Sequence, residues 1–178
     1  MTCQYTAVAA VCQLLVAAAF LSIPLVRHRF GAAAKAAADR ELDRQGVPAG
    51  VLEANGLRFD AGGHETLAPL AVAAVMVTLA GLGLADHALS HPLTWVFQSL
   101  VIVMNALIPH SNLTATRSVE TAFRRKGDPV LARIDVAAFL KAAEGAFPGW
   151  VTVLQNVRHV VVFAGSALAL VGIAVAGS

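Results

Sequence analysis

Four stretches of the chain are almost free of charge, and two long polar stretches separate them. The apolar runs cover 6–26, 67–86, 92–108 and a last one ending at 176. That last run begins at 150, or at 159 if counted from Arg158, the final charged residue. An α-helix rises about 1.5 Å per residue, so the first run spans about 31 Å, enough to cross a bilayer core. The pattern predicts an all-α fold, an integral membrane four-helix bundle with two long helical segments, 27–66 and 109–157, on one side of the bilayer.

Local signals refine each run. The first ends at Arg27, His28 and Arg29, a stop-transfer flank, and MTCQYT lacks a positive start. It therefore reads as a retained span rather than a secretory leader, with Pro24 tolerated near its end. The turn after Ala85 is short, so the second and third runs form an antiparallel hairpin. The third run is at the short limit for a span and is expected to stop at Pro109. It carries Gln98 and Asn105 seven residues apart, on one helical face. Polar side chains in lipid need partners, so that face should look into the bundle. Small residues recur at Ala74, Thr78, Gly81 and Ala85, and again at Gly165, Ala169, Gly172 and Ala176, spacings that let helices approach closely.

The polar stretches also carry helical patterns. AAAKAAADRELDRQ is rich in helix formers and stops at Gly46. SNLTATRSVETAFRRK predicts a helix ended by Gly127. The next, over DPVLARIDVAAFLKAAEGAF, is expected to start at Asp128 as cap with Pro129 at its first position. Leu113, Val119 and Phe123, then Val130, Ile134 and Leu140, give these two pieces apolar stripes suited to a membrane surface or a partner. Phe147, Pro148, Gly149 and Trp150 read as a turn with an interfacial aromatic.

Composition agrees with the pattern. The chain of 178 residues is 57% hydrophobic and 13% charged, with mean hydropathy +0.69, whereas soluble domains carry about a quarter charged residues. The net charge of +2 gives no basis for nucleic-acid binding. Cys3 and Cys12 lie about half a turn out of phase on a helix, so no disulfide is expected. All 13 Lys and Arg residues fall between Arg27 and Arg58 or between Arg117 and Arg158. The positive-inside rule places those segments in the cytoplasm or an organellar equivalent and both termini outside, in a bacterial or organellar inner membrane. Asn112 then lies in a sequon facing inside.

The candidate chemistry gathers at the inner edge. Asn105, His110, Gln155, Asn156, Arg158, His159, Arg27 and, at the start of the second run, Glu65 are expected at one depth, where ionisable groups are costly and tend to mark function. They are candidates for binding a ligand or a lipid headgroup. His28, His64, His110 and His159 could in principle ligate haem or a metal, but no attachment motif accompanies them, and interfacial polarity explains them more simply. His87 and His91 are a weaker metal pair still, because Pro92 disfavours helix at His91. No P-loop, G-x-S-x-G, H-E-x-x-H or paired-cysteine motif is present.

The segments IPLVRHRF, MNALIPHSNL and WVTVLQNVRHVVVFAG resemble the small four-helix membrane proteins of the anthrone-oxygenase-like group. The resemblance implies an oxygenase-type activity on polycyclic phenolics and points to Asn105, Asn112, Arg158 and His159; the second polar segment is longer here than in that group. Two functions follow as expectations. One is a non-catalytic accessory subunit, bound with other membrane subunits into a respiratory or transport complex. The other is a small membrane oxygenase, or a cofactor- or quinone-binding protein, acting on an apolar phenolic molecule at the inner-edge polar site.

Overall fold

A computed structural model describes residues 2–48, 50–54 and 63–176 of the chain. The elements are α1 (Thr2–Arg44), α2 (Val51–Ala54), α3 (Gly63–Leu84), α4 (Ser90–Lys126), a single 3₁₀ turn (Leu131–Arg133), α5 (Val136–Gly145) and α6 (Gly149–Ala176). The fold is all-helical among the described residues. Three stretches, Gln4–Arg44, Thr66–Leu84 and Gly149–Ala176, are long and apolar enough to cross a membrane. This holds for the described residues alone, and the 92–108 run ends among side chains that lie outside them.

Two boundaries differ from expectation. The first apolar run and the Ala-rich segment after it form one helix of 43 residues, because the alanines that follow Gly31 favour helix strongly enough to offset a single glycine. The third run likewise continues through position 109 to Lys126, since a proline inside a helix removes one backbone hydrogen bond and can kink the helix without ending it. His91 is helical as well, contrary to the expectation from Pro92.

The helix ends follow from sequence. At the end of α1 the Val47 amide donates to the Leu42 carbonyl and the Gly46 amide to that of Asp43, both at 3.0 Å. Gly46 has φ +70°. This is a Schellman ending, in which glycine takes the left-handed position without a Cβ clash. Its apolar contact is present too, since Leu42 and Val47 are buried in the same cluster. Asp86 closes α3 in the same way with φ 51°, an uncommon conformation for a residue with a side chain.

The chain forms two compact units. The first comprises Met1–Leu25, Gly63–Ile108 and Thr152–Ser178. Its core contains Val16, Met76, Leu79, Val101 and Val162, with a second cluster of Ala9, Cys12, Ala169 and Ile173. The small-residue stripe of α6 packs against α1. A Cβ added at Gly172 would lie 3.1 Å from the Tyr5 carbonyl oxygen, and one at Gly165 would lie 3.3 Å from Val16 Cγ2. The matching stripe of α3 is not a packing face: Ala74, Thr78, Gly81 and Ala85 are exposed, and Ala73, Met76, Leu79 and Ala80 are buried instead. In α3 the large side chains Met76 and Leu79 lead the burial and take Ala73 and Ala80 with them, leaving the expected stripe outside.

The second unit comprises Val26–Gly62 and Pro109–Val151. Its core joins Ala38, Leu42 and Val47 to Phe123, Leu131, Ile134, Val136, Phe139 and Ala143, with Val119, Val130 and Leu140 against it. The apolar stripes of the polar segments thus cover one another; Leu113 lies outside the described side chains. The cap of α5 is Asp135, whose carboxylate accepts from the Ala138 amide at 3.0 Å, and not Asp128 as expected. Asp128 instead accepts from the Val130 amide and makes a local turn. The Gln45 side chain accepts from the Asp135 amide at 2.8 Å and donates to its carbonyl at 3.4 Å, tying the end of α1 to the start of α5. Phe30 meets Phe147 and Trp150 edge-on, with Trp150 still half exposed.

Candidate functional site

The site lies in the first unit and begins with the polar face of α4. Ser90, Thr94, Gln98 and Asn105 stand at i, i+4, i+8 and i+15, and all four are buried. The inward placement expected for Gln98 and Asn105 is what the structure has: they are 0% and 1% exposed. The Gln13 amide of α1 donates to the Thr94 hydroxyl at 3.1 Å, and the Gln98 amide donates to the Ser166 hydroxyl of α6 at 2.9 Å. Sequence reasoning missed Gln13, Thr94 and Ser166 as the partners; four polar residues at helical spacing along α4 were the available signal.

Two polar ends in this seam are unanswered. Gln98 Oε1 and Asn105 Nδ2 are buried without a hydrogen-bond partner, as is Nδ1 of His159 on α6. Turning the Gln98 amide over exchanges its ends and still leaves one unpaired. An unmade hydrogen bond of this kind costs about 1–3 kcal/mol. Buried polar groups are usually satisfied, so each unanswered end calls for an explanation.

Beside Asn105 is a cavity of about 480 Å³ between α1, α3 and α4. Phe20 and Ile23, Pro69 and Val72, and Phe97 and Met104 line it, one pair from each helix. Asn105 is the one polar residue among the described residues around it. Leu100 and Met104, both exposed, and the exposed Ala68 and Ala71 form part of the lining, so the cavity opens between helices through an apolar rim. This is the size of a small-molecule site, with apolar walls and one polar residue at its edge. None of its apolar wall residues was singled out from sequence, since a cavity is a property of how helices meet and not of any one run.

The helix directions place the remaining candidates. Gly165 lies against Cys12 and Val16, and Gly172 against Tyr5 and Ala9, so α6 runs antiparallel to α1. Thr94 lies level with Gln13, and Met104 and Asn105 share the cavity with Phe20 and Ile23, so α4 runs parallel to α1 and antiparallel to α6. Starting from the Gln98–Ser166 bond, seven residues inward along each helix is about 10.5 Å. That brings Asn105 and His159 to the same level. Arg158 is half-buried, on the packing stripe that continues through Val162, Gly165, Ala169 and Gly172. It makes no ion pair with a described carboxylate. Gln155 and Asn156 are exposed.

The other expected members belong to the second unit or lie outside the described side chains. Arg27 and His28 belong to the second unit. The side chains of His64, Glu65, His110 and Asn112 lie outside the described residues. Among the described residues, no three His, Cys, Asp or Glu side chains gather as a metal site. Comparison with known proteins finds no matching family model, no matching curated protein and no matching solved structure.

Proposed function

We propose that the chain is a four-span membrane protein that takes an apolar, oxygen-bearing small molecule from the lipid phase into the cavity beside Asn105. The observation that carries this is the pairing of an apolar cavity of about 480 Å³ with one buried, unpartnered amide donor at its wall. The walls desolvate an apolar body, and Asn105 Nδ2 donates to an oxygen on it. A quinone or a phenol meets that description, and the resemblance noted above points to the same asparagine. The spans are the 6–26, 67–86, 92–108 and 150–176 runs. The Lys and Arg distribution sets both termini on the non-cytoplasmic side, with Asn105 in the inner half.

The reading placed first from sequence, a non-catalytic accessory subunit in a respiratory or transport complex, drew on the absence of a complete catalytic motif and on two amphipathic segments. The apolar stripes of those segments pack on each other in the second unit, which weakens the second motive and leaves the first. The ligand reading is tested by placing a fluorophore at the cavity. Phe97→Trp is made in a chain with Trp95 and Trp150 changed to Phe, and a lipid-soluble benzoquinone is titrated into neutral-lipid nanodiscs. Saturable quenching that Asn105→Leu weakens at least threefold is the expected result. Quenching that rises linearly with quinone and ignores Asn105→Leu contradicts the proposal.

A further inference from the structure

Arg158 gives the proposed ligand a charge. It occupies a bundle-facing position of α6, the same stripe that packs Gly165 and Gly172 against α1, and not the lipid-facing side from which a cation ordinarily snorkels. It is half-buried and has no carboxylate partner among the described residues. Its neighbour His159, whose Nδ1 is buried and unanswered, stands level with Asn105, whose Nδ2 is buried and unanswered. An amide donor on the wall of the apolar cavity, which α1, α3 and α4 line, and a guanidinium on α6 therefore sit within one helical turn of the same level. A cation held on a packing face is expensive without an anion. We propose that the occupant of the cavity is an anionic amphiphile, with its oxyanion held between Asn105 and Arg158 and its apolar body along Phe20, Val72 and Phe97.

This rests on the ligand reading of the cavity and adds the charge of the head. The shared chemistry is an oxyanion on an apolar chain, and it can come from a free apolar carboxylic acid or from the phosphate of an anionic lipid. The test uses the full chain in neutral phosphatidylcholine nanodiscs, with the Phe97→Trp reporter and bromine-labelled probes as quenchers. The probes are a bromostearic acid, the matching bromostearyl alcohol and a brominated phosphatidylglycerol. Wild-type cavity residues should bind at least one anionic probe ten times more tightly than the alcohol, and whichever anion wins identifies the source. Arg158→Gln should abolish that preference while leaving alcohol binding in place, and Arg158→Lys should retain most of it. Equal binding of acid, lipid and alcohol overturns the charge inference alone. A preference that survives Arg158→Gln does so too. If no probe quenches saturably, the cavity reading fails and this inference with it.

Discussion

The Gln98 side-chain amide of α4 donates to the Ser166 hydroxyl of α6 at 2.9 Å, and both residues are 0% exposed. This bond sets the register of the two helices and so determines that Asn105 faces the level of His159. It also leaves Gln98 with one unanswered end.

Interhelical hydrogen bonds within a bilayer average about 0.6 kcal/mol, with a maximum of about 1.7. Gln98→Leu with Ser166→Ala should therefore show a coupling in that range in a double-mutant cycle, measured by denaturant unfolding in mixed micelles. Ser166→Ala alone should cost more than the double change, because it strands both ends of the Gln98 amide. Strict additivity of the two single changes would remove this bond from the account of the register.

The two small-residue stripes should respond differently to added bulk. Gly172→Ala puts a methyl 3.1 Å from the Tyr5 carbonyl oxygen, and overpacking of this kind costs about 1–3 kcal/mol. Gly81→Ala meets nothing within 4 Å and, as a glycine-to-alanine change in a helix, should be neutral or slightly stabilising. Thermal unfolding of both variants in detergent checks the contrast. A larger loss at Gly81 than at Gly172 would mean the packing faces are reversed.

Asp135 caps α5 while its backbone is held by Gln45. Asp135→Ala should cost about 0.5–2 kcal/mol, and Asp135→Asn much less, because asparagine also caps well. Phe139→Ala, in the core of the same unit, should cost about 3–5 kcal/mol. Protease susceptibility of the second unit reads all three. A cap variant as damaging as Phe139→Ala would show that Asp135 does more than cap.

Glu41 accepts hydrogen bonds from Arg44 and Gln45, with Arg44 the larger influence, and these hold its carboxyl below the ordinary value. A depressed carboxylate favours the folded state above its unfolded pKa, and that contribution fades as pH falls through the lowered folded value. Wild type and Glu41→Gln should therefore converge in melting temperature as pH drops from neutral into the acid range. A gap that widens on acidification would reverse the sign of this linkage.

How far the sequence could be read depended on whether one helix or several decided the outcome. The inward face of Gln98 and Asn105, the stops at Gly46 and Gly127 and the packing stripe of α6 each follow from local spacing or a special backbone conformation. The unbroken α1 and α4 were missed because an apolar-to-polar change is a change of solvent, not of backbone. Position 109 adds a second reason: a proline inside a helix can kink it without ending it. The α3 stripe failed because in an Ala-rich helix small residues recur on several faces, and the large partners choose among them. Of the site, Asn105, Arg158 and His159 were visible as polar residues in apolar runs. The cavity was not, since its walls come from three helices and look like ordinary core residues in each.

The central claim is that the cavity beside Asn105 holds a ligand, and native mass spectrometry of the protein released from membrane nanodiscs tests it most directly. Wild type is compared with Val75→Trp, which places an indole in the cavity wall. The account predicts a bound apolar molecule in stoichiometric amount on the wild type and its loss from Val75→Trp, with both proteins melting within a few degrees of each other. An unliganded wild type that also fails to take up any added probe, or an equal bound mass on Val75→Trp, would contradict it.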